Sequence, residues 1–226
     1  MASPIIVDFP LKGEWITPNT PGTKVPSHGT DMLGQRYAYD FVGLEPGSQN
    51  TRFYRHTTLR YLLLGVCLKD CYGWGRPVYA ASEGTVIRAT DGWPERNPVH
   101  LVRDLFNMLK NSFTINVNQE ADLRILTGNH IITENSDGYT LYAHLQQGSI
   151  CVSAGDKIIP GQRLASVGHS GNSTAPHLHF QMMDNLDPWK AKGLPCCFRE
   201  FDIQDDGVWH TVQNSMPRAT DRIQRL

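Results

Sequence analysis

No stretch of this 226-residue chain approaches the ~20 consecutive apolar residues that a membrane-spanning helix needs. Charge of one sign is equally scarce: 21 Lys and Arg stand against 22 Asp and Glu, for a net charge of −1, and no long basic block stands out. Binding to nucleic acid or to an anionic membrane through bulk charge is therefore disfavoured. The opening residues, MASPIIVDFPLKGEW, lack a positive flank and hold only a short apolar patch, so they do not read as a secretory leader. The expectation is a cytoplasmic chain or export by another route, with an extracellular location if the sequence is a mature form. Cysteine is sparse and odd in number: Cys67, Cys71, Cys151, Cys196 and Cys197 argue for free thiols rather than a disulfide framework. A cysteine metal site is disfavoured too, because adjacent Cys196 and Cys197 cannot easily both reach one tetrahedral ion. Small buried residues are the better reading. No internal repeat or low-complexity tract is present.

Turn residues and short strand signals are abundant. The chain is 40% hydrophobic and 19% charged, with 20 Gly and 14 Pro, a globular composition rich in turns. Segments such as YAYDFV, RPVYAAS, GTVIRAT, LRILT, NHIITEN, YTLYAHL, SICV, RLASVG and HLHFQMM are short, β-branched or aromatic, and separated by Gly, Asp-Gly or Ser-Gly. Asp137-Gly138 marks a hairpin between two of them. The pattern predicts a mainly β fold, an antiparallel barrel- or sandwich-like sheet with one inserted helix and long loops. Residues 1–27 read as an extended arm, 28–215 as one domain with insertions at about 44–75 and 95–122, and 216–226 as a tail.

The helix is expected after Asn97-Pro98, with Asn97 as cap and Pro98 in the first position. Val102, Leu105, Phe106, Leu109 and Phe113 form its apolar stripe, expected to pack on the sheet, while His100 and Arg103 fall on a solvated face.

The chemistry centres on His177-Leu178-His179. On a strand, residues i and i+2 face one side, roughly 6.5 Å apart, so both imidazoles enter one site while Leu178 and Phe180 face the core. Surface strands carry such pairs by chance, but this one has company. His144 ends another strand in Tyr142-Ala143-His144-Leu145, His28 lies in a loop, and Asp40 opens the strand after that loop. Neutral imidazoles and one carboxylate suit zinc, and three protein ligands with an open fourth position suit catalytic zinc.

With these residues the sequence resembles the lysostaphin/LytM-type zinc metallopeptidases. Residues 128–183 carry the YAHL tetrapeptide, a GD-x(4)-GQ turn (155–162), SGNST (170–174) and PHLHF (176–180), and residues 78–92 resemble the family's preceding hairpin. The resemblance implies the family's duplicated hybrid motif fold and a zinc-dependent endopeptidase acting on peptidoglycan stem peptides or cross-bridges. It implies one zinc ion held by His28, Asp40 and His179, with His144 and His177 as the catalytic pair. One departure concerns spacing. The family commonly sets its first His and its Asp four residues apart, whereas Asp40 follows His28 by twelve. Asp31 therefore competes with Asp40, and His56 and His100 compete with His28. Asp40 is preferred because Phe41-Val42 resembles the family's strand entry.

Zinc polarises a scissile carbonyl and lowers the pKa of its bound water, and a histidine titrating nearby takes the proton. Which histidine is the base stays open. Asn172 and Ser173 are candidates to touch substrate on loop position, with turn shaping as the alternative. His169 reads as a loop histidine, His130 as a strand residue, and Gln35 and Tyr37 as either groove or packing residues. The partner expected is a peptide or peptidoglycan, with no nucleic acid and no membrane span; the oligomeric state is open. The competing class is a non-catalytic zinc-binding scaffold that regulates cell-wall hydrolysis. A biotinyl- or lipoyl-type carrier is disfavoured for want of a modifiable lysine at the exposed turn. A zinc deaminase is disfavoured because Pro195-Cys196-Cys197 lacks the Pro-Cys-x-x-Cys spacing.

Overall fold

The computed structural model describes residues 3–114 and 122–226. Residues 115–121 of the expected second insertion lie outside the described residues. The described chain runs through β1 (Ile5–Val7), β2 (Gly13–Asn19), β3 (Tyr39–Gly43), helix α1 (Thr58–Leu64), β4 (Pro77–Tyr79), β5 (Gly84–Thr90), α2 (Leu101–Thr114), α3 (Arg124–Thr127), β6 (Asn129–Asn135) and β7 (Gly138–Leu145). It continues through β8 (Lys157–Ile158), β9 (Arg163–Ser166), β10 (His177–Met183), β11 (Gly193–Leu194), β12 (Cys196–Asp205), β13 (Val208–Ser215) and β14 (Arg222–Arg225). Twelve strands form one sheet in the order β1-β12-β14-β2-β3-β10-β7-β6-β5-β8, with β11 beside β10 and β13 beside β12; β4 and β9 form a separate ribbon. The ladders are antiparallel except for β1 on β12. The mainly β expectation holds, as an open sheet rather than a closed barrel, and the described residues contain three α-helices where one was expected.

β10 lies at the centre, and its seven residues are all buried. Leu178, Phe180 and Met182 enter the main core with Trp15, Tyr39, Phe41, Tyr142, Phe198 and Phe201. Each large apolar side chain so buried contributes about 1.5–3 kcal/mol. The alternate residues His177, His179 and Gln181 face the other side. Their register is fixed, with His179 opposite Asp40 on β3 and opposite Ala143 on β7. A one-residue slip would turn the aromatic residues out of the core, so packing itself holds the histidines on the site face.

Several local expectations change. LRILT is helical rather than extended: the Asp122 carboxylate accepts from Arg124 N at 3.0 Å, and Gly128, at φ 60°, ends the turn. SICV (149–152) lies in a loop and β9 stands nearby instead. The Asp137-Gly138 hairpin forms with Ser136-Asp137 as its central pair, because Asn135 and Gly138 pair across it. The arm supplies β1 and β2, and the tail supplies β14, which lies between β12 and β2. Cys71, Cys196 and Cys197 are buried, whereas Cys151 is exposed; all five thiols are free.

The inserted helix differs most. α2 begins at Leu101, not at Pro98, because Val99 pairs in both directions with Val66 and is held extended. Asn97 Oδ1 accepts from Leu68 N at 3.2 Å instead of capping, and the Asp104 carboxylate accepts from His100 N at 2.8 Å. The apolar stripe does not pack on the sheet. Val102 is 64% exposed and Phe106 65%, with Leu105 and Leu109 also exposed, while Asp104 is fully buried. The Phe113 side chain lies outside the described residues. No helix among the described residues is long and apolar enough to cross a membrane.

Candidate metal and catalytic site

Three strands and one loop place the site. Asp40 lies on β3, and His177 and His179 on β10, all on the face opposite the aromatic core. His144 comes from the end of β7 and needs a special backbone. Leu141 and Ala143 already line the groove, so alternation would send His144 to the core side with Tyr142. Its φ of 60° turns it to the groove instead. A left-handed non-glycine residue is sparsely populated and costs about 1–3 kcal/mol, and such strain collects at functional positions.

His28 enters from the loop before β3. Its Nε2 lies 2.9 Å from Asp40 Oδ2, and Ser27 Oγ lies 3.0 Å from its Nδ1. His179 Nδ1 lies 2.9 Å from the other oxygen, Oδ1. Ligand atoms of His28, Asp40 and His179 all lie within 4.8 Å of one another. Two imidazoles and one carboxylate, largely buried and converging, are a donor set that fits zinc. Asp40 lies twelve positions after His28, and a short 3₁₀ segment, Met32–Tyr37, takes up the extra length. Asp31 is elsewhere, accepting from Arg36 at 2.6 Å, and His56 pairs with Asp70 at 3.1 Å. His100 sits just before α2, outside this cluster.

Supporting contacts surround the three groups. Asn19 Nδ2 donates to Asp40 Oδ2 at 2.8 Å. Gln181 Oε1 accepts from His179 Nε2 at 2.9 Å, while Gln181 Nε2 donates to the Leu33 carbonyl at 2.8 Å. Such outer partners fix ring orientation and tautomer around a metal. Sequence reasoning missed both. Gln181 was findable as the next i+2 residue after His179; Asn19, in the segment read as an arm, carried no signal.

His144 and His177 stand together with ring centres 4.6 Å apart. His144 Nδ1–H donates to the Ser170 carbonyl at 2.9 Å, and His177 Nδ1–H to the Ala175 carbonyl at 2.7 Å. A carbonyl only accepts, so both rings carry their proton on Nδ1 and leave Nε2 on the opposite side. His177 Nε2 lies 3.5 Å from Asp40. The two rings differ electrostatically. Burial, with the neighbouring His177 and His179, pushes the His144 pKa well down. Burial also opposes charge on His177, but Asp40 outweighs it and raises its pKa. Burial works to raise the Asp40 pKa, yet His177 and His28 hold it well below the ordinary carboxylate range.

These residues open on a groove of about 420 Å³, also lined by Leu33, Gln35, Asn172 and Trp189. Met108 of α2 walls it, whereas residues 44–75 contribute none of its lining, and neither does Tyr37. Asn172 faces the groove and accepts from Asn111 Nδ2 at 3.2 Å. Ser173 does not face it: its side chain is buried behind the turn and touches His169 and His177.

Residues 114–191 match the family described as Peptidase family M23. His144, His177 and His179 fall inside that stretch; His28 and Asp40 fall outside it and reach the site through the fold. The peptidoglycan DD-endopeptidase ShyA of Vibrio cholerae is 37% identical over 65 residues, 28% of this chain and 15% of that protein. The glycyl-glycine endopeptidase ALE-1 of Staphylococcus capitis is 40% identical over 58 residues, 26% of this chain and 16% of that protein. The aligned stretch is thus about a sixth of the length of these relatives. The catalytic domain of lysostaphin from Staphylococcus simulans aligns with a TM-score of 0.38 at 20% identity, covering 80% of this chain and 88% of that one.

Proposed function

We propose that this chain, similar over its matched stretch to the lysostaphin/LytM-type peptidases, is a zinc-dependent metalloendopeptidase cutting peptide bonds in peptidoglycan stem peptides or cross-bridges. The observation that carries this reading is the meeting of His28 and Asp40, from outside the matched stretch, with His144, His177 and His179 from inside it. His28, Asp40 and His179 would hold one zinc ion. When bound there, zinc supplies a Lewis acid for the scissile carbonyl and for the attacking water.

The remaining work falls to the chain. The groove walls orient an extended peptide across the face of β10 and β7. His144, kept neutral by burial, offers its Nε2 lone pair to the proton of the attacking water. His177, whose proton is favoured by Asp40, donates from Nε2 to the oxygen on which negative charge develops. Gln181 keeps His179 turned toward the cluster, and Asn19 holds the Asp40 carboxylate in line.

The test incubates zinc-loaded protein with cross-linked peptidoglycan and with short glycine-containing peptides, reading new ends by mass spectrometry. A His144→Ala sample and a chelated sample run alongside. New ends that vanish in both controls are expected, and they name the bond. Stoichiometric zinc without cleavage would instead favour the non-catalytic scaffold.

A further inference from the structure

A second buried string of polar groups starts at the catalytic pair and runs away from the groove. Ser173 Oγ lies 3.2 Å from His177 Nδ1 and 3.0 Å from His169 Nδ1. His169 Nε2 lies 3.3 Å from Asp104 Oδ2. His169 and Asp104 are both fully buried, although one belongs to the turn before β10 and the other to the inserted helix. Arg96 ties the same parts together, donating to Asp104 at 2.9 Å and to the carbonyls of Gly171 at 2.6 Å and Ser173 at 2.5 Å. Beyond His177, none of Ser173, His169, Asp104 and Arg96 lines the groove.

Proton placement leaves the string connected in either arrangement. With His169 neutral, the form that burial favours, Nε2–H donates to Asp104 and Nδ1 accepts the Ser173 hydroxyl. The Ser173 oxygen then accepts a share of the His177 Nδ1–H that also reaches the Ala175 carbonyl. If the Ser173 hydroxyl turns to the Ala175 carbonyl, 2.6 Å away, His169 donates from both nitrogens and its charge is met by Asp104. In each case the oxygens of Ser173 and Ala175 are held where they seat the Nδ1 side of His177.

We propose that Asp104 and His169 are positioning residues, through which the inserted helix α2 braces the catalytic ring of His177 from behind by way of Ser173. Asp104 anchors His169, His169 holds the Ser173 hydroxyl, and the Ser173–Ala175 turn fixes the direction in which His177 Nε2 points. The inference rests on the endopeptidase reading for its effect on turnover, but not for its effect on the ring.

The test uses the zinc-loaded full chain. His169→Phe keeps a ring of similar size and removes both nitrogens; His169→Gln restores one donor and one acceptor. His169→Phe should lower kcat about 10- to 100-fold, the usual range for a lost outer partner, with bound zinc unchanged and KM within about threefold. His169→Gln should recover most of that loss. An unchanged kcat in His169→Phe, or a fall matched by an equal loss of zinc, would overturn the proposal. Nuclear magnetic resonance of ¹⁵N-histidine-labelled protein reads the ring directly. The His177 Nδ1 proton should exchange slowly in the parent and faster in His169→Phe, and equal exchange would also overturn it. Ser173→Ala carries both measurements if His169→Phe does not fold. If the parent cleaves no peptide, the endopeptidase reading fails while the exchange rates still decide whether His169 braces the ring.

Discussion

β10 and α2 invert each other. β10 buries both faces, one as an aromatic-backed core and the other as a cluster of histidines around Asp40. α2 buries its acidic side chain, Asp104, and leaves its apolar stripe in the open. The usual rule sends a helix's apolar stripe to the core. Here the force that seats the helix is a set of charge-assisted hydrogen bonds converging on one carboxylate, from Arg96, Arg103 and the His100 amide. An uncompensated buried charge is expensive, so this carboxylate and its partners fix the helix's rotation about its axis. Hydrophobic periodicity therefore locates an element reliably but does not by itself say which way it faces.

The largest expected break concerns chemistry on β10. His177→Ala and His144→Ala should each lower turnover about 10²- to 10⁴-fold, the span of a lost general acid or base, with zinc content by mass spectrometry unchanged. Near-normal turnover in either would remove that ring from the mechanism. Asp40→Asn should differ in kind, losing both bound zinc and turnover, because it replaces the only anion of the donor set.

Stability sharpens the comparison next. Leu178→Ala, on the core face of β10, should cost about 2–5 kcal/mol in urea unfolding. Leu105→Ala, on the open stripe of α2, should stay within about 0.5 kcal/mol. A cost above about 2 kcal/mol for Leu105 would mean that the stripe is covered in solution.

The smallest effect is one of pH. Burial works to raise the Asp104 pKa, but His169 and Arg103 hold it below the ordinary carboxylate range. A depressed folded-state pKa contributes stability that is present above the unfolded value, about 3.9, and lost as pH falls toward the folded value. Parent and Asp104→Asn melting temperatures should therefore lie apart at neutral pH and draw together below about pH 4. A gap that stays constant from pH 7 to pH 3 would deny Asp104 its charge in the fold.

How much was legible follows from which forces act locally. The HLH pair, YAHL and the strand entry at Asp40 were readable because alternation along a strand is local. The resemblance then named their company. The bend that turns His144 toward the groove left no trace in the alternation, because it depends on one dihedral angle. LRILT was misread because its helical turn depends on the neighbouring Asp122 and Gly128, not on its own β-branched residues. The β12–β13 hairpin went unseen, since β13 is mostly solvent-facing and carries little apolar pattern. The orientation of α2 was beyond reach, because Asp104 meets His169 across 65 positions of sequence.

The pairing of β14 with β2 also bears on the order of events during folding. Arg222 to Arg225 lie against Gly13 to Ile16, and β2 in turn flanks β3, which carries Asp40. The strand beside β3 therefore takes its other neighbour from a segment more than 200 positions further along the chain. Contacts of such sequence separation form late and slowly. The face that carries Asp40 is thus expected to be completed late in folding, after the long loop between β2 and β14 has closed.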